Sequence, residues 1–256
     1  MPVALNTVAA RYAAYLAQQI PDVVHERDIM LARGTAGAMD HYLAVGHSAI
    51  EVIAVAMLAV GTIDIGSVLD LPCGGGRVTR HLKAFLPEAE LSVGDLDREL
   101  EAFTAKTFGA IVARAPVDFA GAPVRSFDLI FVGSLVTHLD AAMFAQATRW
   151  LIAALAPNGL LVLTTHGRRH DFVETTRHRF APLDKWEATL RALAREGFGY
   201  YDYDDTKPGY GVSVSKPSWV MRLFETEPAI RIVSYQEAAW AGHQDVLVLQ
   251  RKAINS

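Results

Sequence analysis

The feature that most constrains this chain is a run of three glycines set between a strand and a helix. Ser67-Val68-Leu69-Asp70-Leu71 is a short apolar strand run. Pro72-Cys73-Gly74-Gly75-Gly76 follows it, and Arg77 to Phe85 has helical spacing. Glycine there lets the backbone turn sharply and lets a ligand approach with no Cβ in the way. The helix N-terminus behind it offers unpaired N–H groups. Pro87 marks a turn, and Leu91-Ser92-Val93-Gly94-Asp95 reads as a second strand. Asp95 then stands about 20 residues on, where a carboxylate accepts hydrogen bonds from a ribose.

The alternation repeats along the chain. Leu96 to Lys106 reads as helix, Ala110 to Ala115 as strand and Phe127 to Val132 as strand. A helix follows from Leu139 to Leu155, and Leu160 to Thr165 forms a fifth strand after the turn Pro157-Asn158-Gly159. Strands alternating with helices call for a parallel sheet with right-handed crossovers. Residues 3 to 61 are Ala-rich with helical spacing. Asp184 to Arg195 reads as a helix opened by an Asp184/Glu187 capping box and closed by Gly197. Arg231 to Trp240 and Asp245 to Gln250 form an antiparallel hairpin. The expected architecture is a single α/β domain over 1–256, mostly parallel, with a helical cap over 1–62.

Of 256 residues, 51% are hydrophobic, enough for a sizeable core. The formal charge of −4, with both signs dispersed, argues against a partner held by phosphate neutralisation, so no nucleic acid is expected. Cys73 is the single cysteine, which excludes an internal disulfide and fits a reducing cytoplasm. The first twenty residues lack a signal-peptide pattern. The most apolar stretch, Ala49 to Val60, is shorter than the roughly 20 residues a bilayer requires, so no membrane span is expected.

The dinucleotide fingerprint G-x-G-x-x-G fails here, because Thr79 stands where the last glycine should be. Asp70-Leu71-Pro72-Cys73-Gly74-Gly75-Gly76 instead resembles the D-x-G-x-G-x-G motif of class I, Rossmann-like methyltransferases, with Pro72 replacing the first glycine. The resemblance runs on through Phe127-Asp128-Leu129-Ile130 and Leu155-Ala156-Pro157-Asn158-Gly159-Leu160, which look like the family's fourth strand and the entry to its fifth. It implies S-adenosylmethionine (SAM) as cofactor, held by Asp70, Pro72, Cys73, Gly74, Gly76, Asp95, Leu96 and Gly133. Asp118 matches the family's adenine-binding acid, beside Phe119 as a stacking ring. Thr164-Thr165-His166-Gly167, Gly197-Phe198-Gly199-Tyr200, Tyr210-Gly211-Val212-Ser213 and His243-Gln244-Asp245-Val246 resemble a bacterial methyltransferase group associated with glycan biosynthesis.

Methyl transfer to an alcohol is aided by a base at the carboxyl edge of the sheet. His138, after the fourth strand, and His166, after the fifth, satisfy that placement. His166, His170, Asp171 and His178 also raise a metal site, but the run reads as a charged loop and no metal is expected. Residues 198–219 interleave Phe198, Tyr200, Tyr201, Tyr203, Tyr210 and Trp219 with Asp202, Asp204 and Asp205. That mixture suits a sugar, a phenol or a cationic amine, and the segment reads as a substrate loop. Tyr42 and Ser48 are further candidate cofactor contacts. The leading expectation is O-methylation of a sugar or glycan intermediate. The alternatives are a phenolic or natural-product acceptor, a nicotinamide-dependent oxidoreductase, and a non-catalytic SAM-binding partner.

Overall fold

A computed structural model describes residues 2–62, 64–167, 169, 182–204 and 209–253. The sequence reads as one domain; the fold gathers into two compact units whose segments interleave along the chain. One comprises Met1–Ala115 with Phe127–Phe131, the other Pro116–Ser126 with Val132–Ser256.

The first unit contains α1 (Pro2–Leu16), α2 (Ala38–Val60), β1 (Ser67–Asp70), α3 (Thr79–Phe85), β2 (Glu90–Val93), α4 (Arg98–Phe108), β3 (Ile111–Val112) and nearly all of β4 (Phe127–Val132). Its strands lie in the order β3-β2-β1-β4. β1 runs parallel to β2, with Asp70 opposite Val93, and parallel to β4, with Val68 opposite Leu129. Val68, Leu69, Leu129, Ile130 and Phe131 are fully buried, as strands covered on both faces must be. Asp128 pins this register: its Oδ2 accepts from the N–H of Gly66, the N–H of Ser67 and the Ser67 hydroxyl, each at 2.9 Å. Because Asp70 and Val93 finish side by side, the segments after β1 and β2 leave the sheet at one edge.

Three expectations change here. The helical N-terminus breaks into α1 and α2, since residues 17–37 contain Pro21, without a donor, and Gly34 and Gly37 at φ 82° and 72°. β3 shrinks to two exposed residues, because it is an edge strand paired only with β2. The apolar run from Ala49 belongs to a 23-residue helix that is long and apolar enough to cross a bilayer. Half of that window is buried, and α2 packs on α1 and α3.

The second unit opens with a 3-10 turn (Val136–His138) and α5 (Ala141–Ala153), whose N-cap Asp140 accepts from the Met143 N–H. β5 (Leu155–Thr165), α6 (Leu183–Glu196), β6 (Phe198–Asp202), β7 (Gly211–Ser215), α7 (Pro217–Glu225), β8 (Ile230–Trp240) and β9 (Gln244–Arg251) follow. β9 pairs antiparallel with β5, from Leu160 opposite Gln250 to Thr165 opposite Asp245, and antiparallel with β8, so the closing hairpin forms as expected. Helix α6 ends at Gly197 (φ 84°), but its N-cap is Pro182 and no side chain caps it. The Asp184/Glu187 capping box therefore does not form, because the helix begins one residue before Asp184.

Residues 198–219 are not an irregular loop. β6 and β7 pair antiparallel from Phe198 opposite Ser215 to Asp202 opposite Gly211, and α7 starts at Pro217. Trp186, Leu193, Tyr201, Val212 and Val214 form the core between α6 and this hairpin. Burying such side chains stabilises the unit by roughly 1.5–3 kcal/mol for each large one. That is why Tyr201, read as a substrate contact, is turned inward, and Phe198 is buried as well.

Candidate functional site

In the first unit the glycine loop and Asp95 meet. The Gly74 N–H donates to Asp95 Oδ2 at 2.7 Å, and the Cys73 N–H to the Gly94 carbonyl at 3.0 Å. Asp95 Oδ1 accepts from the Asp97 N–H at 2.9 Å. An ionised carboxylate has about four lone-pair sites, so with the Leu96 N–H also directed at it these bonds leave acceptor capacity for a hydroxyl. Burial raises the Asp95 pKa, and the backbone N–H groups of Asp97 and Gly74 hold it down in part. Behind it, the buried Glu101 accepts from the Asp95 N–H at 3.1 Å and pairs with Arg98 and Arg114, which fixes the turn after β2.

Gly74 has φ +49°, and a Cβ there would meet nothing within 4 Å, so the loop presents an open face. A Cβ on Gly75 would collide with the Asp28 carboxylate. Pro72 follows a cis peptide bond. Cys73 is buried beneath the loop, its thiol pKa pushed up by burial. Asp70 is 1% exposed and accepts from the Thr79 hydroxyl at 2.6 Å, which ties β1 to the start of α3. Burial raises its pKa to about 7 against the opposing Thr79 bond. Leu96, next to Asp95, is exposed. Tyr42 is fully buried, with its hydroxyl donated to Asp28 at 2.7 Å, and Ser48 donates to the Val45 carbonyl. Tyr42 therefore sits inside the scaffold, and Ser48 is part-buried on α2.

In the second unit β7 organises two histidines. His138 Nδ1 lies 2.9 Å from the Gly211 carbonyl, and His166 Nδ1 lies 3.1 Å from the Ser213 carbonyl. Residues two apart on a strand direct their carbonyls to the same side. A carbonyl only accepts, so each Nδ1 carries the proton and each Nε2 keeps its lone pair. Among the described residues neither Nε2 has a hydrogen-bond partner. Burial lowers the pKa of His138, and that of His166 to about 3, so both rings are neutral at pH 7. The Tyr203 hydroxyl also lies 2.9 Å from His138 Nδ1. Tyr210, half exposed, and Tyr203 have ring centroids 5.3 and 5.8 Å from the imidazole.

The floor beside these rings is a polar network. The Ser134 N–H donates to Thr164 Oγ1 at 2.9 Å, Thr164 Oγ1 to Gln244 Oε1 at 2.6 Å, and Gln244 Nε2 to the Ser134 hydroxyl at 2.7 Å. Ser134 adopts φ 60°, just after Gly133 at the end of β4. Asp118 is exposed and accepts from the Ala120 N–H at 3.0 Å; Phe119 is buried edge-on against Trp150. Tyr200 donates to Asp202, which also accepts from the Gly209 N–H, so that acid is spent on the hairpin. His170, Asp171, His178 and Asp205 lie outside the described residues. The sequence singled out Gly211 and Ser213 within a resembling segment but gave neither a role, because they act through backbone carbonyls that leave no side-chain signature.

No protein-family model matches the chain, and no curated protein sequence matches it. Solved structures do. The chain is similar to an O-methyltransferase family protein from Burkholderia thailandensis, at 16% identity over 96% of this chain and 68% of that one, with a TM-score of 0.53. It is similar to the N-methyltransferase NodS from Bradyrhizobium japonicum WM9, in complex with S-adenosyl-L-homocysteine, at 14% identity over 96% and 98% (TM-score 0.50). It is also similar to SAM-bound CalS10, an amino pentose methyltransferase from Micromonospora echinaspora, at 16% identity over 86% and 93% (TM-score 0.54). At these identities the likeness is one of fold: α/β, a mostly parallel Rossmann-like sheet with an antiparallel hairpin, as the sequence implied.

Proposed function

We propose that this chain is a SAM-dependent methyltransferase that O-methylates a sugar or glycan intermediate. The observation that carries the cofactor is the glycine loop bonded through the Gly74 N–H to Asp95, with an open face at Gly74 and an unspent lone pair on the carboxylate. These residues fit an adenosyl group: Asp95 accepts a ribose hydroxyl, and the backbone of Cys73, Gly74 and Gly76 gives a side-chain-free approach. Asp70 supports the loop from below, and Leu96 gives an apolar wall. SAM supplies an electrophilic methyl group on a sulfonium.

The protein's own contribution is to orient the acceptor and take its proton. His138 Nε2 is the proposed base. His166 is held so far below the ordinary histidine range that it is a weak proton acceptor, and it serves to orient a hydroxyl. Holding an acceptor in line can lower a barrier by about 7–11 kcal/mol in the best cases, more than a base supplies. Tyr203 and Tyr210 offer ring faces to the C–H face of a sugar or to a phenol.

Methyl-labelled SAM with a panel of nucleotide sugars, glycans, phenols and amines tests this reading. Label in a sugar supports it. Label only in a phenol or an amine overturns the acceptor and leaves the enzyme class. Nicotinamide-dinucleotide binding without SAM binding overturns the class, and SAM binding without turnover on any acceptor favours a non-catalytic partner.

A further inference from the structure

Arg80 is 1% exposed, yet among the described residues no carboxylate bonds it directly. Its fork ends on carbonyls from two segments. Nε donates to Gly76 at 2.9 Å and Nη2 to Gly75 at 3.3 Å, both in the glycine loop. Nη1 donates to Pro21 at 2.6 Å and Nη2 to Val23 at 3.0 Å, both in the segment between α1 and α2. The guanidinium is sandwiched between the rings of Tyr42 and Phe108, with centroids 5.1 and 5.2 Å away. Tyr42 in turn donates to Asp28, whose carboxylate fills the space where a Gly75 side chain would be. Asp28 Oδ1 accepts from the Met30 N–H at 2.9 Å, and Arg27 pairs with Asp97 and Glu99, just past Asp95.

A buried guanidinium among neutral oxygens is a costly way to gain stability, and an apolar side chain would serve that end better. What the planar fork adds is geometry: it sets two carbonyls of one segment against two of another, which an ammonium cannot copy. We infer that Arg80 is a positioning residue for the cofactor loop, coupling residues 17–37 to the Gly75–Gly76 backbone so that the two segments hold one arrangement. This rests on the SAM reading of that loop. Coupling is reciprocal: if the segment holds the loop in its binding shape, SAM must also hold the segment. Arg27 and Arg33 lie in it as tryptic sites.

The test measures SAM affinity by calorimetry and tryptic cleavage at Arg27 and Arg33, with and without SAM. The proteins are wild type, Arg80→Lys, Tyr42→Phe and the core control Phe85→Leu. Arg80→Lys should weaken SAM binding by about tenfold, the equivalent of one hydrogen bond's net contribution lost from the fork. It should also abolish SAM protection at Arg27 and Arg33, with kcat at saturating SAM nearly unchanged. Tyr42→Phe should act in the same direction with a smaller loss, and it decides the matter if Arg80→Lys does not fold. Phe85→Leu should lower Tm and leave affinity near wild type. Unchanged affinity in both Arg80→Lys and Tyr42→Phe overturns the inference, as does an equal loss in Phe85→Leu. A wild type that does not bind SAM overturns the cofactor reading, and the inference falls with it.

Discussion

Histidines in both units have pKa values pushed down by burial, and they differ in what the second ring nitrogen meets. In the first unit, His81 Nδ1 bonds the Tyr15 hydroxyl at 2.7 Å, while Nε2 is walled off against Gly46 of α2. In the second unit, His138 and His166 spend Nδ1 on the β7 carbonyls and keep Nε2 clear of described partners. A lowered pKa therefore does not mark a working imidazole. A lone pair left without a partner and fixed in direction does, and among the described residues His138 and His166 each hold one.

The largest effect that would break this contrast is catalytic. His138→Ala should lower kcat by about 10²–10⁴-fold, the usual worth of a positioned base, with SAM affinity unchanged. His166→Ala should cost less, because its weaker basicity leaves it an orienting role. A larger loss in His166→Ala in single-turnover methyl transfer would reverse the assignment. For His138 the active form is the neutral ring, and its pKa is lowered. The acid limb of kcat should therefore fall below the ordinary histidine value of about 6.5.

The next effect is on stability and comes from His81. Its folded pKa is about 4, against 6.5 unperturbed. The stability from keeping it neutral is fully present above pH 6.5 and is lost as pH falls through about 4. The loss is roughly 3 kcal/mol from 2.5 pKa steps. Denaturant unfolding of wild type and His81→Gln between pH 4 and 7 checks this: the variant should lose the share of the pH slope that His81 contributes, roughly 3 kcal/mol across that window. His166, lowered to about 3, adds a slope of the same sign that His81→Gln leaves in place.

The fold class and the placement of Asp95 were legible because they rest on strand registers and glycine spacing, which sequence carries directly. The segment 198–219 was misread for a physical reason. Its alternation of aromatic and acidic residues is what a half-buried hairpin also produces, with Tyr201 turned into the core and Tyr200 and Asp202 bonded to each other on the other face. Asp70 is similar: the motif marks it as important, but only the structure shows the carboxyl buried under Thr79. The links made by Arg80, Pro21 and Val23 join positions nearly sixty residues apart through backbone oxygens, so no local pattern announces them.

The glycine loop sharpens the contrast at smaller cost. Gly74→Ala meets open space and should cost only its left-handed backbone, about 1–2 kcal/mol. Gly75→Ala drives a Cβ into the Asp28 carboxylate, so the loop or residues 17–37 must shift. Calorimetry should find SAM affinity reduced more by Gly75→Ala than by Gly74→Ala. The reverse order would mean that the open face at Gly74, rather than the packing behind Gly75, governs the site.

At Asp70 two effects oppose. Its folded pKa is raised to about 7 from 3.8. For a raised carboxyl, the stability relative to the ionised state is complete below pH 3.8 and is lost as pH rises through 7. Asp70→Asn removes that loss but buries an amide whose N–H groups need partners, at about 1–3 kcal/mol when unmet. The loss removed, roughly 4 kcal/mol from 3.2 pKa steps, exceeds that cost, so above pH 7 the variant should be more stable than wild type by about 1–3 kcal/mol. The informative quantity is the slope: between pH 4 and 7 the variant should gain stability relative to wild type as pH rises. Parallel curves would mean that Asp70 is ionised in the fold, and that the Thr79 hydroxyl and the charge of Arg77 outweigh its burial.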